Sequence, residues 1–136
     1  MPTKGSFYTQ TGPTYQGDNP ASSSNDGEVG VSISSPAAND IIDIPILFAC
    51  TLNSVTVAGD VVGSAVFDLL LAPFGTVPTA SITGSTEPTL ASAQFYQDTA
   101  LTGWSHIIPA NSLLRVKLNS TSGLARVALA LKITKG

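Results

Sequence analysis

The last quarter of the chain, residues 112–135, constrains the fold more strongly than any other stretch. Leu114, Val116 and Leu118 alternate with less apolar residues, and after a turn at 120–123 a second run alternates in the same way. A period of two places successive side chains on opposite faces of a β-strand. We therefore predict a β-hairpin with one buried face, which in the second strand comprises Ala125, Val127, Leu129, Leu131 and Ile133.

Alternating and apolar runs recur earlier in the chain, between turn-forming residues. They predict strands at residues 28–34, 41–51, 54–57, 62–71 and 80–83. Pro45 indicates an edge strand, because proline cannot donate a backbone hydrogen bond. Ser85 as a cap and Pro88 in the first turn predict one or two helical turns over residues 89–97.

These elements define the predicted fold class and domain organisation. Seven or eight strands of modest length with turns between them indicate an all-β protein, an antiparallel β-sandwich or jelly roll. Residues 1–40 are rich in Gly, Pro, Ser, Thr, Asn and Gln, and we predict that they form an extended N-terminal arm and linker. Residues 41–136 are the predicted β-sandwich domain.

The composition is poor in ions. Charged residues make up 11% of the chain, about half the usual share, whereas Ser and Thr together account for 31 of 136 residues. Charges resist burial at interfaces because they must be desolvated, so a surface of hydroxyls favours subunit contacts. We expect no membrane span, since no long apolar run occurs, and no exported form, since no signal peptide is evident.

Charge is divided unevenly along the chain. Residues 1–98 contain all nine acidic residues and Lys4, a net charge of −8, whereas residues 99–136 carry +5. The basic strands either face the domain's own acidic strands or complement a neighbouring subunit. In the predicted hairpin Lys117 lies opposite Arg126, an unfavourable pair unless an anion covers it. The candidate subunit-contact or polar-face residues are Arg115, Lys117, Arg126 and Trp104, and for Trp104 a core position is the alternative. Five cations without a basic tail are too few to predict nucleic-acid binding.

The N-terminal segment contains three aromatic residues in an otherwise polar context. Phe7, Tyr8 and Tyr15 are candidate anchors, since aromatic side chains bury a large area at a small entropic cost. The segment is either a flexible terminus or an arm that becomes ordered on a partner. We favour the arm.

No pattern of catalytic or cofactor-binding residues stands out. One His and one Cys are too few for a usual zinc site, no Gly-x-Ser-x-Gly turn occurs, and we predict neither metal nor cofactor. Asp60 and Asp68 are the best candidates for a glycosidase pair, but we favour turn chemistry or a polar strand face as the explanation of each. Cys50 is predicted to be a small core residue. We expect no enzymatic activity, and a polysaccharide hydrolase is the least favoured hypothesis.

Several spaced blocks carry a resemblance to a known family. They are residues 57–65, Pro88–Gln94, Leu101–Trp104, Ile108–Val116 and Arg126–Lys132. In this order they resemble a small β-domain that recurs in virion proteins of tailed bacteriophages, where a tryptophan precedes a turn into a strand and the last strand begins with Arg-Val. Asn111-Ser112 departs from the Gly-Asp that is frequent in that family.

The resemblance implies a structural or adhesive virion protein that forms trimers. A fibre usually has a shaft of sequence repeats or heptads, and this chain shows none. Its sequence therefore favours a homotrimeric capsid decoration (cement) protein over a fibre tip. The expected partner is the major capsid protein, contacted through the arm, and the expected location is the virion after synthesis in the host cytoplasm. The alternative is a receptor- or glycan-binding tip of a tail fibre or head fibre, using exposed aromatics such as Trp104, Phe95 or Tyr96.

Overall fold

A computed structural model describes the backbone of residues 6–11 and 26–135, and the side chains of residues 26–135. The predicted all-β class is confirmed, because the described residues form strands joined by turns. In chain order the strands are β1 Ser6–Thr11, β2 Asp26–Ser34, β3 Asp40–Ile46, β4 Cys50–Pro73, β5 Ala80–Ser81, β6 Thr89–Asp98, β7 Ile107–Ile108, β8 Ser112–Ser122 and β9 Arg126–Lys135.

Strand β4 is the element around which the fold is built. It is 24 residues long. One of its edges pairs first with β9, over Cys50–Gly59, and then with β8, over Ser64–Pro73. Its other edge pairs with β7, β6 and β5. The strand order is therefore β1-β2-β9-β4-β8-β3, with every pairing antiparallel.

The long strand folds over so that its two halves belong to two facing layers. Cys50 pairs with Ile108 and Pro73 pairs with Ser112, so both ends of β4 lie close to the short segment 108–112. The bend falls at residues 59–63, which we call the corner. The β9 layer contains β1, β2, β9 and the first half of β4, and the β8 layer contains β3, β8 and the second half of β4.

The core lies between these layers and consists of the inward-facing residues of each strand. Strand β8 buries Leu114, Val116 and Leu118, as its alternation predicts, and β9 buries alternate residues from Val127 to Ile133. Burial of such a side chain contributes about 1.5–3 kcal/mol. The largest fully buried side chain is Phe67, on β4.

The predicted C-terminal hairpin is wrong in its pairing although both strands exist. β8 and β9 pair with successive halves of β4, so β4 lies between them in the strand order. Lys117 is opposite Asp68 and Ile41, and Arg126 is opposite Ser34. Alternation records which face a strand buries and carries no information about its neighbour.

The strands predicted at residues 54–57 and 62–71 are not separate, since both belong to β4 and the corner lies between them. Gly59 and Gly63 are needed there because the side chain of Leu124 fills the inside of the bend. A Cβ atom at Gly63 would lie 2.7 Å from Leu124 Cδ2 and 2.8 Å from the carbonyl oxygen of Ser122. Two closely approached glycines thus convert an apparent turn into a bend within a continuous strand.

The predicted helix at residues 89–97 is also wrong, since this segment is strand β6. It pairs with both halves of β4 and follows it around the corner. Local helix signals are weak, and pairing with the second edge of β4 outweighs them.

The predicted arm is too long. Strand β2 pairs with β9 along its whole length and buries Val29, Val31 and Ile33. The sandwich therefore includes β1 and the chain from Asp26 onward, rather than beginning at Ile41. Pro45 does lie in an edge strand, since β3 ends the strand order.

Candidate functional site

The predicted arm anchors are described in part. Phe7 and Tyr8 lie in β1, where their backbones are opposite Ser32 and Val31 of β2. Their side chains, and Tyr15 as a whole, lie outside the described residues. Their role as anchors for a partner stays a prediction.

Trp104 is not a surface residue, which corrects its assignment to a polar face or subunit contact. Its side chain is 7% exposed, and its indole Nε1 donates to the carbonyl oxygen of Thr86 at 3.0 Å. The backbone amide of Ser105 donates to the carbonyl oxygen of Ile82 at 2.8 Å. Trp104 therefore fastens the loop before β7 onto the loop before β6 and is not accessible for stacking on a sugar.

Several basic residues of β8 and β9 lie opposite acidic residues of the same chain, as Lys117 does with Asp68 and Lys132 with Glu28. Arg115 forms a bidentate ion pair with Asp43, with Nε–Oδ1 at 2.8 Å and Nη2–Oδ2 at 3.0 Å. This hydrogen bond raises the pKa of the Arg115 guanidinium. Part of the positive charge of residues 99–136 is thus paired with acidic residues of the same domain. A subunit contact for Lys117 or Arg126 stays a prediction.

Asp60 and Asp68 do not form the hypothesised glycosidase pair. Asp60 lies at the corner, where its Oδ1 accepts the backbone amides of Ala125 and Arg126, both at 3.1 Å. Asp68 lies farther along β4, and its Oδ1 accepts the hydroxyls of Ser81 and Thr83 at 2.7 and 3.0 Å. The two carboxylates therefore bind different segments of the chain, Asp60 the start of β9 and Asp68 the segment after β4.

Cys50 is part of the core, and His106 contacts a backbone carbonyl group of a neighbouring loop residue. Cys50 is buried, and burial raises its pKa to about 11, so the thiol is protonated and unreactive at neutral pH. The predicted core role is confirmed. His106 Nε2 lies 2.9 Å from the carbonyl oxygen of Leu101. Within residues 26–135 no three His, Cys, Asp or Glu side chains gather as metal ligands, and no helix there is long and apolar enough to cross a membrane.

One end of the sandwich exposes large apolar side chains, and we call it the apolar end. It lies where the β3–β4, β4–β5 and β7–β8 connections meet, since the amide of Phe74 donates to the carbonyl oxygen of Asn111 at 2.9 Å and Ile46 pairs with Ser112. Its side chains are each more than 60% exposed: Leu47 68%, Phe74 65%, Ile107 63% and Val77 62%.

The apolar end carries few charges, and Lys135 of β9 lies beside it with Nζ 5.6 Å from the centroid of the Phe48 ring. The three segments that meet there, 44–52, 69–86 and 105–114, contain no Asp, Glu, Lys or Arg. An apolar groove of about 190 Å³ lies beside Phe74, between residues 71–73 and 109–112. The sequence shows that the chain contains few charged residues, and the fold shows that three segments without Asp, Glu, Lys or Arg meet at one end.

A second, larger groove of about 390 Å³ lies on the outer face of the β9 layer. Polar side chains from β2, β9, β4 and β6 line it, with small residues as its floor. Its lining consists of Asp26, Gly27, Glu28, Ser54, Thr56, Gln97, Ala130 and Lys132. We call it the polar groove. Strand alternation alone could not reveal it, because its residues come from four strands whose neighbours were unknown.

No protein-family model and no curated protein sequence matches this chain. Among solved structures, the Clostridium perfringens protein CpGH89CBM32-6 is similar with 13% identity and a TM-score of 0.42, covering 96% of this chain and 94% of that one. An oxalate oxidase is similar with 11% identity and a TM-score of 0.38, covering 96% of this chain and 51% of that one. A structure of infectious bursal disease virus Gx strain is similar with 10% identity and a TM-score of 0.35, covering 99% of this chain and 37% of that one.

This chain therefore spans about half the length of the oxalate oxidase chain that it matches. At these identities and TM-scores the similarities concern a general β architecture. They assign no ligand, reaction or assembly to this protein.

Proposed function

We propose that this protein is a virion structural protein of a tailed bacteriophage, a trimeric decoration protein that stabilises the head shell. The observation that carries the proposal is the charge-poor apolar end, with Leu47, Phe74, Val77 and Ile107 exposed. Contiguous apolar patches are uncommon on monomeric proteins and indicate a contact surface. We assign this end to the contact between three copies of the chain.

The second part of the proposal concerns the shell. Strand β1 lies at the edge of the β9 layer and pairs with β2. Because all six of its residues pair with β2 of the same chain, β1 fixes the arm to the body of the domain, and we assign the contact with a neighbouring capsid subunit to the aromatic side chains of the arm. Because such contacts form in the assembled shell and not with dispersed subunits, their free energy would stabilise the shell by mass action. The sequence blocks that resemble virion β-domains support the same assignment.

The trimer is tested by mass measurement in solution. The wild-type protein should have three times the chain mass of 13.9 kDa by light scattering after gel filtration. The double variant Leu47→Ser/Phe74→Ser should be a monomer, because polar side chains remove the apolar contact. The matched control is Phe95→Ser, which removes an exposed aromatic side chain from β6 and should remain trimeric. A monomeric wild-type protein would reject the trimer.

Shell binding is tested with a truncated chain. Deletion of residues 1–25 removes the edge strand β1 and keeps β2, so the body should still unfold cooperatively on heating, although its circular dichroism spectrum loses the contribution of six strand residues. The truncated protein should no longer sediment with heads of the phage that encodes it, whereas the full chain should. Equal sedimentation of both forms would overturn the role of the arm.

A further inference from the structure

We propose that the polar groove is a binding site for a neutral saccharide. This site lies on the outer face of the β9 layer and does not depend on the trimer contact at the apolar end. The structure orders four strands so that hydrogen-bonding side chains line a concave face beside an exposed aromatic ring.

The strand register brings the polar groups together. Glu28 of β2 is opposite Lys132 of β9, and Lys132 is opposite Ser54 of β4. In the next outward-facing row, Thr56 is opposite Gln97 of β6. These five side chains provide carboxylate, ammonium, hydroxyl and amide groups within two adjacent rows. Sugar hydroxyls donate and accept hydrogen bonds, so they are satisfied by a mixture of this kind.

One internal hydrogen bond leaves bonding capacity for a ligand. The amide Nε2 of Gln97 donates to Thr56 Oγ1 at 3.0 Å, which orients both side chains. A primary amide has two donors and an acceptor oxygen, so a single such bond does not exhaust Gln97. Gln97 is exposed and Thr56 is half-buried, which holds one partner in place while the other remains accessible.

The floor and border of the groove suit the apolar side of a sugar ring. Ala130 lies opposite Thr56, and Ala58 lies opposite Phe95. Because these alanine side chains are short, they leave room for a ligand above the strands. Phe95 is 70% exposed and, two residues from Gln97 on β6, shares its outward face. The face of an aromatic ring packs well against the C–H groups of a pyranose. A volume of about 390 Å³ is within the range of ligand sites.

The local charge favours a neutral ligand. Asp26 and Glu28 are accompanied by Lys132, which lies directly across from Glu28. A phosphate or sulfate group would require several cations in a common site, and this groove supplies one. The groove can therefore recognise a ligand through hydrogen bonds to its polar side chains and stacking on Phe95, and a neutral saccharide can make both kinds of contact.

The test is an NMR titration of the ¹⁵N-labelled full chain with glucose, galactose, mannose, rhamnose and N-acetylglucosamine. At least one sugar should shift the amide signals of Ser54, Thr56, Gln97 and Ala130 in a saturable manner. Amides of the opposite outer face, such as Leu113, should not move. Absence of saturable shifts with all five sugars, or shifts centred elsewhere, would overturn the proposal.

Two variants test the site itself. Gln97→Leu removes the amide and Phe95→Ala removes the ring. Each substitution should lower the affinity for the sugar that binds the wild type by about tenfold or more. The matched controls are Asn119→Leu and Ile41→Ala in the β8 layer, which should bind as wild type. Unchanged affinity in both groove variants would reject the site. Loss of the trimer in Leu47→Ser/Phe74→Ser with sugar binding retained would separate the two proposals.

Discussion

The two ends of the sandwich differ in how many contacts their residues make within the chain and how much apolar side chain they leave in solvent. At the corner end, Leu124 fills the space left by Gly59 and Gly63, and Asp60 accepts two backbone amides at the start of β9. At the apolar end, side chains such as Leu47 and Phe74 remain in solvent. Contacts within the chain hold the corner, although Val61 and Val62 stay 48% and 62% exposed there, whereas the apolar end exposes larger side chains that a second molecule can cover. Substitutions at the corner should therefore change stability, and substitutions at the apolar end should change association.

The largest effect is expected for Gly63→Ala. The new methyl group would meet Leu124 Cγ and the carbonyl oxygen of Ser122, each at 2.8 Å. The backbone contact cannot be relieved by a rotamer change, so we expect a loss of about 2–3 kcal/mol in the free energy of unfolding. Urea denaturation measures it, and Gly75→Ala is unsuitable as a control because Gly75 has a positive φ of 103°.

The control for this substitution is Gly30→Ala, also in a strand. A Cβ atom at Gly30 would lie 3.5 Å from its nearest neighbour, the carbonyl oxygen of Leu129, which is an ordinary contact. We expect little change in stability for Gly30→Ala. Equal stability of both alanine variants would contradict the close packing at the corner.

Asp60 should make the stability of the corner end depend on pH. Hydrogen bonds from the amides of Arg126 and then Ala125 lower the pKa of the Asp60 carboxyl from its ordinary value of 3.8. A carboxyl with a lowered folded-state pKa stabilises the fold above its unfolded-state pKa. This contribution disappears as the pH falls through the lowered folded-state value.

The substitution Asp60→Asn should therefore flatten the acid side of the stability profile. We expect the Tm of the wild type to fall more steeply than that of Asp60→Asn as the pH is lowered from 5 toward 2. Thermal melts across this range measure the difference. Glu87→Gln, which also removes one carboxylate, serves as the control, and parallel curves for wild type and Asp60→Asn would contradict the capping role.

A stabilising change is expected at Thr121, close to the corner. Its Oγ1 is buried and has no hydrogen-bond partner. Thr121→Val keeps the branched shape and removes the unsatisfied hydroxyl, so we expect a gain of about 1 kcal/mol and a Tm higher by roughly 4 °C. Calorimetry measures it, and an unchanged or lower Tm would show that the hydroxyl is satisfied in solution.

The smallest effect on stability is expected at the apolar end. Phe74 is 65% exposed, so Phe74→Ser should change the free energy of unfolding of a dissociated chain by less than about 0.5 kcal/mol. Denaturation at low protein concentration measures it. A large loss there would mean that Phe74 contributes to the core and would weaken the comparison between the two ends.

The sequence by itself determined which residues are buried in the strands. The alternation at Leu114, Val116 and Leu118 and at Val127 to Ile133 predicts the inward faces of β8 and β9, and burial confirms them. Such patterns follow from the two-residue period of a strand and need no knowledge of the rest of the chain. The all-β class followed from the same local signals.

The tertiary structure decided which strands are neighbours and which surfaces are left over. Alternation is identical whether β8 pairs with β9 or each pairs with β4, so the hairpin could not be distinguished from the observed order. Trp104 and Phe95 are both aromatic residues between turns in the sequence, yet one is 7% and the other 70% exposed. Both grooves likewise combine residues from distant segments, because pairing along β4 sets which side chains share a surface.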